Sequence, residues 1–111
     1  MDKKLLKNID KAAVLNMKDL VMYQDGQIVS KTLVQNKAVS MTLFAFDADE
    51  EISSHKSHGD AMVQVLDGTA KITVGDDVFE VQAGRSIVMP AEVPHAVEAK
   101  TPMKFLLTVV F

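Results

Sequence analysis

Apolar and polar residues alternate in short runs along most of this chain, with turn-forming residues between the runs. Alternation with a period of two is typical of β-strands that bury one face. From about Gln27 onward the pattern predicts strands with Val, Ile, Thr or Phe at alternate positions, and a sandwich or barrel built from them. The predicted strands are Ile28–Val34, Ala38–Phe46, Glu51–Ser54, Ala61–Leu66, Ala70–Val74, Val78–Gln82, Ser86–Met89, His95–Ala99 and Met103–Phe111.

Glycine and proline mark the predicted turns. Gly68 follows Asp67, and an Asp-Gly pair readily adopts the positive φ that a tight hairpin requires. Gly75-Asp76-Asp77 is expected to turn the chain in the same way between Val74 and Val78. The later strands are separated by Ala83-Gly84, Pro90, Pro94 and Pro102.

The last predicted strand is apolar on one face and mixed on the other. Met103, Phe105, Leu107, Val109 and Phe111 share one face, and Lys104, Leu106, Thr108 and Val110 share the other. A strand that is apolar on both faces is usually covered on both. One cover is the barrel core, and the other is expected to be a second subunit, so the pattern predicts a homodimer.

The first 26 residues show weaker periodicity and are interpreted as an N-terminal packing segment. Asn16 is a suitable N-cap for a helical turn over the residues that follow it. A short strand is expected nearby. The whole chain, residues 1–111, is therefore predicted to be one domain, with the packing segment at 1–26 and the barrel at 27–111.

Composition narrows the function classes. The chain has 111 residues, of which 48% are hydrophobic, so one compact core is expected. The formal charge is −3 and no basic, aromatic-rich stretch occurs, which argues against a nucleic-acid partner. The absence of cysteine excludes disulfides, thiolate nucleophiles and Cys-ligated zinc. Charged residues interrupt the N-terminus, so neither a signal peptide nor a membrane span is predicted, and the cytoplasm is the expected location.

Two stretches between His55 and Ala99 resemble the conserved motifs of the cupin family. The second motif of the family is G, five residues, P-x-G, two residues, H, three residues, N. Gly84, Pro90 and His95 fall at these spacings, whereas Glu92 replaces the second glycine and Ala99 replaces the asparagine.

The first motif, G, five residues, H-x-H, three or four residues, E, six residues, G, is less complete. His55 and Gly68 match, whereas Asp49, Ser57 and Ala61 stand at the first glycine, the second histidine and the acidic position. The Gly59–Gly68 stretch is similar to a strand of small stand-alone bacterial cupins. The resemblance implies an all-β, cupin-type jelly-roll barrel (a double-stranded β-helix), with the helical turn near the N-terminus added to it.

The resemblance also implies a divalent metal, Fe, Mn, Ni or Zn, held by three histidines and an acidic residue inside the barrel. This chain keeps His55 and His95 of that set. His58 and Gln64 are the candidate replacements. Strand alternation places both on the face away from the expected site, unless a local bend at Gly59 redirects His58.

Each replacement has a plainer alternative. His58 is alternatively interpreted as a solvated loop residue, and Gln64 as an outward strand residue at an edge or dimer contact. Asp60 lies one residue before the acidic position and is better interpreted as a turn residue. His55 and His95 by themselves could be structural; their coincidence at motif spacing favours a shared site.

Apolar residues at strand spacing predict a ligand pocket beside the histidines, lined by Met41, Met62, Met89 and Phe44. Two functions fit. The first is a small-molecule-binding cupin with a weak or absent metal site. The alternative is a metal-dependent oxygenase or isomerase acting on a small organic acid, sugar or ketone, with the catalytic residues unassigned. A small-molecule ligand is the expected partner in both.

Overall fold

A computed structural model describes residues 5–111 of the chain as β-strands joined by short turns. Nine strands and one short 3-10 helix occur within this range. Their order is the 3-10 helix Met17–Leu20, then β1 Ile28–Gln35, β2 Val39–Phe46, β3 Glu51–His55, β4 Asp60–Asp67, β5 Thr69–Val74, β6 Asp77–Gln82, β7 Ser86–Met89, β8 His95–Ala99 and β9 Met103–Val110. Every strand that the alternation predicts is present, and no bound differs by more than one residue.

The strands form two antiparallel sheets that pack face to face. The larger sheet has the order β1-β2-β9-β4-β7, and the smaller has the order β3-β8-β5-β6. Neighbours within a sheet are mostly distant in sequence, as in a jelly-roll. This architecture confirms the predicted all-β barrel with a helical turn near the N-terminus.

The main core lies between the two sheets. It takes the inward residues of both sheets, and Val63, Ala70 and Ile72 among them have no exposed surface. Phe44, Phe46 and Phe105 meet here, with the rings of Phe44 and Phe105 stacked at 5.0 Å between centroids. These aromatic contacts join β2 to β9 and form one wall of the interior.

The N-terminal segment covers part of the outer face of the larger sheet. Val21 packs with Leu43 and Leu106 in a second apolar cluster on this side. Beside it Lys104, only 8% exposed, donates a hydrogen bond of 2.7 Å to the carbonyl of Lys18. The apolar outer face of β9 therefore has a cover within its own chain at Leu106, and the homodimer stays a prediction.

Two turn predictions have different outcomes. Gly75 and Asp76 form the turn of the β5–β6 hairpin, in which Val74 pairs with Asp77, as predicted. Gly68 has the expected positive φ of 72°. The hairpin predicted at Gly68 is wrong, because β4 and β5 belong to different sheets and the chain crosses between the sheets at this glycine.

The N-terminal prediction is confirmed only in its helical turn. Asn16 precedes the 3-10 helix, but its side chain makes no capping hydrogen bond. The short strand expected in this region is absent from residues 5–26. In the part of the chain that the structure describes, no helix is both long enough and apolar enough to cross a membrane.

Candidate functional site

A cavity of about 330 Å³ opens between the two sheets at one end of the barrel. Most of the residues that line it are apolar. The lining residues are Phe44, Ile52, His55, Lys56, Ser57, His58, Ala61, Val63, Met89, His95, Val97, Phe105, Leu107, Val109 and Phe111. A volume near the lower end of the range for ligand sites suits a small molecule.

His55 and His95 lie next to each other in this cavity. They are directly paired across β3 and β8, and their ring centroids are 4.4 Å apart with the planes at 70°. Forty positions of sequence separate the two residues, so only the pairing of these strands brings the imidazoles together. The shared site expected from the motif spacing is therefore present as a geometric arrangement.

A bulge in β3 directs His55 into the cavity. Ile52 pairs with Val97 and His55 with His95, so three steps along β3 match two along β8. Residues three apart on a regular strand would point to opposite faces. The extra residue lets Ile52 and His55 both line the cavity, in the way that bulges commonly redirect side chains at functional sites.

Backbone carbonyls set the orientation of both rings. The Nδ1 atom of His55 lies 3.0 Å from the carbonyl of Ser53, and that of His95 lies 3.2 Å from the carbonyl of Val93. A carbonyl oxygen only accepts, so each Nδ1 carries the proton and donates. In the neutral ring Nε2 then bears a free lone pair.

Burial changes the acid–base behaviour of His95, whose side chain is 3% exposed. Burial lowers its pKa below the ordinary value of 6.5, and the charge of a protonated His55 lowers it further. The hydrogen bond to Val93 opposes these effects without cancelling them. His95 is therefore neutral at pH 7.

Protein stability should depend on His95 below neutral pH. The unfolded chain binds a proton at His95 near pH 6.5, before the folded protein does. The free energy of unfolding should therefore fall as the pH drops below about 6.5, and this contribution should level off below the lowered pKa. Urea unfolding between pH 7.5 and 5.5 measures the slope.

A His95→Gln variant should show a flatter slope over that pH range, because the titrating group is gone. His58→Gln is the matched control, since the His58 side chain is 92% exposed. Parallel profiles for the wild-type protein and the His95→Gln variant would contradict the assignment of this proton uptake to His95.

His58 lies at the rim of the cavity and contacts an acidic residue across the mouth. Its Nδ1 atom is 2.9 Å from Oε2 of Glu92, and both side chains are largely exposed. The backbone supports the same contact, because the amide of Glu92 donates to the carbonyl of Ser57 at 2.8 Å. The bend predicted at Gly59 is not a left-handed one, since Gly59 is absent from the residues with positive φ.

Gln64, the other candidate ligand, does not line the cavity. It pairs with Leu106 on β9, and Leu106 belongs to the outer cluster. Strand alternation therefore turns Gln64 to the outer face, and its inclusion in the site is corrected. Asp60 is the first residue of β4 rather than a turn residue, and its carboxylate accepts a hydrogen bond of 2.8 Å from the amide of Ala91.

Two of the four predicted pocket residues line the cavity, and two do not. Met89 and Phe44 line the cavity, and Met41 and Met62 do not. Met41 packs in the outer cluster, and Met62 pairs with Val88 and Thr108 on the same side of the sheet. Met41 and Met62 therefore lie on outward strand positions, which corrects their assignment to the pocket.

The model of the cupin domain family matches residues 42–110. The chain belongs to this family. Among solved structures, a conserved protein of unknown function from Streptococcus pyogenes is 42% identical with a TM-score of 0.93, over 96% of this chain and 94% of that one. A cupin superfamily protein from Desulfitobacterium hafniense is 28% identical with a TM-score of 0.91, over 96% of this chain and 97% of that one.

A cupin 2 conserved barrel domain protein from Leptotrichia buccalis is 46% identical with a TM-score of 0.85. That match covers 87% of this chain but 47% of the other, so this chain corresponds to about half of that protein. A comparison with curated proteins gave no significant match.

Two positions where the cupin motifs have glycine adopt a left-handed backbone conformation in this chain. Asp49 and Glu92 stand where the motifs have glycine, and they have φ values of 69° and 66°. Few residues other than glycine adopt this conformation, and it costs an L-residue about 1–2 kcal/mol. The barrel thus imposes the left-handed turn at Glu92, which holds its carboxylate opposite His58.

The donor set of this cupin does not fit the metal centre that the family motif implies. Within residues 5–111, no group of three or more His, Cys, Asp or Glu side chains is close enough to hold a metal ion. His55 and His95 supply two imidazoles, whereas Ser57 and Ala61 occupy the other two motif positions. Stable protein sites for such ions usually have at least three protein ligands.

Several cavity residues were not identified from the sequence. Lys56 and Ser57 are two of them, and the others are apolar, namely Ile52, Ala61, Val63, Val97, Leu107, Val109 and Phe111. The signal for the apolar group is present in the sequence, because Phe105, Leu107 and Val109 share one face of the last predicted strand. What was missing was the pairing that sets this face against β8.

Proposed function

We propose that this cupin binds a small molecule in the cavity beside His55 and His95, without needing a metal ion to do so. The observation that carries the proposal is the cavity itself: about 330 Å³, walled by apolar side chains, with two adjacent imidazoles among its few polar groups. Such a combination of apolar surface with a few convergent polar groups is typical of ligand sites.

The wall chemistry supports an apolar ligand body rather than a sugar. The stacked rings of Phe44 and Phe105 stand with Val63 and Val97 around the interior. Burying several sugar hydroxyls against these groups would leave them without hydrogen-bond partners, at a cost for each of about 1–3 kcal/mol.

Methyl NMR with toluene as the probe tests this proposal. Toluene should shift the methyl signals of Ile52, Val63 and Val97, because these side chains line the cavity. An Ala61→Leu variant should weaken toluene binding at least about tenfold, since Ala61 is 2% exposed and its added bulk would enter the cavity.

Met62→Leu is the matched control, because Met62 is adjacent on β4 and faces the other side of the sheet. It should leave toluene binding unchanged. Absence of any toluene-induced shift in the cavity methyl groups, with the fold intact, would overturn the proposal.

A second candidate is the metal-dependent enzyme. One observation favours it. Both Nδ1 atoms donate a hydrogen bond to a backbone carbonyl, and metal-binding histidines are commonly oriented by a hydrogen bond of this kind at the ring nitrogen that does not bind the metal. It requires a further ligand, for which His58 would have to leave Glu92. Near-stoichiometric divalent metal on the untagged wild-type protein, lost in His55→Ala, would support this candidate.

A further inference from the structure

The lone pair of His95 faces the cavity. Its Nδ1 atom is hydrogen-bonded to the carbonyl of Val93, and the residue as a whole is 3% exposed. No buried side-chain nitrogen or oxygen among residues 5–111 lacks a hydrogen-bond partner. Because Nε2 has no protein partner among the hydrogen bonds of these residues, it must reach accessible space, and the space that His95 lines is the cavity.

This Nε2 atom is a hydrogen-bond acceptor. The carbonyl of Val93 takes the Nδ1 proton, and so the neutral ring presents only a lone pair to a ligand. His55 has the same arrangement with Ser53. A ligand group that also only accepts, such as a carboxylate, would meet these lone pairs unfavourably, whereas a hydroxyl group would donate to them.

The aromatic wall adds a second requirement. Phe44 and Phe105 line the cavity and stack at 5.0 Å between centroids, with planes inclined by 23°. An aromatic ligand gains edge or face contacts with such rings beyond the burial of its area. A phenol combines both features, and its hydroxyl keeps its proton at neutral pH because its ordinary pKa is about 10.

We propose that the ligand class of this cavity is a small, uncharged aromatic molecule whose hydroxyl donates a hydrogen bond to Nε2 of His95. This inference rests on the proposed function, because it names the ligand class of that same cavity. The hydroxyl would lie near the two imidazoles, with the aromatic ring against Phe44 and Phe105. Lys56 at the mouth is the feature that would favour an acid instead, so an acid is included in the test.

Three probes of similar shape separate the alternatives at pH 7.5: toluene, phenol and benzoate. Binding is measured by titration of the cavity methyl signals. Phenol should bind about three- to tenfold more tightly than toluene, which is the range for one neutral hydrogen bond. Benzoate should bind more weakly than toluene, because its carboxylate would be desolvated beside lone pairs.

Removing the acceptor should remove only the preference for phenol. In a His95→Leu variant, toluene should still bind, and the ratio of phenol to toluene affinity should fall to about one. Gln64→Leu is the matched control: it also replaces a polar strand residue by leucine, but on the outer face, and it should keep the ratio. His95→Phe, which keeps an aromatic ring but has no acceptor nitrogen, replaces His95→Leu should the leucine variant fail to fold.

The outcomes distinguish the two levels of the proposal. Equal affinity for phenol and toluene, or tighter binding of benzoate, would overturn the ligand class while leaving a ligand cavity. Failure of all three probes to shift the cavity methyl signals would overturn the proposed function itself. An unchanged phenol preference in a folded variant without the His95 imidazole would exclude His95 as the acceptor.

Discussion

A variant carrying Ser57→His and Ala61→Glu is expected to bind a divalent metal ion far more tightly than the wild-type cupin does. Both positions line the cavity with His55 and His95, and they are the positions where the family motif has its second histidine and its acidic residue. The substitutions would raise the donor set from two imidazoles to three imidazoles and a carboxylate, which suits Zn²⁺, Mn²⁺ or Fe²⁺.

The expected effect is large and easy to measure. Without metal, the variant should be less stable than the wild-type protein, because a carboxylate is buried at a position that is 2% exposed. Zn²⁺ at about one hundred times its dissociation constant should then add about 2.7 kcal/mol, or a rise in Tm of roughly 10 °C or more. Scanning calorimetry with and without a chelator measures the difference.

Two further proteins make this test specific. Adding His55→Ala to the variant should abolish the metal-dependent rise in Tm, since one of the original imidazoles is then lost. The wild-type protein should show no comparable rise under the same conditions. A wild-type protein that gains as much as the variant would contradict the conclusion that its own donors do not fit the family's metal centre.

Alanine at Gly68 is expected to destabilise the barrel more than alanine at other glycines of similar backbone conformation. Gly68 has a φ of 72°, and an added Cβ would overlap the carbonyl oxygen of Pro102 and lie 3.0 Å from Cα of Met103. These are backbone atoms at the start of β9, so they can move only if the crossing between the sheets moves. A loss of more than about 3 kcal/mol is expected.

Gly26 and Gly84 provide matched controls. They also have positive φ values, 66° and 87°, but an added Cβ would meet no atom within 4 Å. Their alanine variants should lose only about 1 kcal/mol, from the left-handed conformation partly offset by the stiffer unfolded chain. Urea denaturation of the three variants compares them directly. Equal losses at all three positions would show that the overlap at Gly68 is relieved without cost.

Local chemistry made most of the secondary structure predictable. Alternation of apolar and polar residues identified the strands, because each strand buries one face. The same alternation explains the wrong predictions at Met41, Met62 and Gln64. It shows that neighbouring residues point to opposite faces of a strand, but it does not show which of the two faces points into the barrel. Where an outer face is covered by another segment, as Leu106 is by Val21, an apolar residue no longer marks the barrel interior.

The sequence predicted the two histidines of the site, but it did not predict how they and their neighbours are oriented. His55 and His95 could be joined through a resemblance to cupin motifs, with no help from periodicity. The bulge in β3 that directs His55 inward depends on the register against β8, which the sequence of β3 does not encode by itself. The contact between His58 and Glu92 likewise depends on the left-handed backbone conformation of Glu92, which lies 34 positions after His58 in the sequence.

The sequence by itself determined that this protein is an all-β chain with two histidines at motif spacing and with neither cysteine nor the acidic motif residue. Those properties follow from residue types and from alternation between neighbouring residues, and neither depends on contacts with distant parts of the chain. The tertiary structure decided which faces point inward, that the two imidazoles share one cavity, and that their free lone pairs are acceptors. These depend on strand register and on backbone carbonyls placed by the fold, because hydrogen bonds between strands join residues that the sequence keeps far apart.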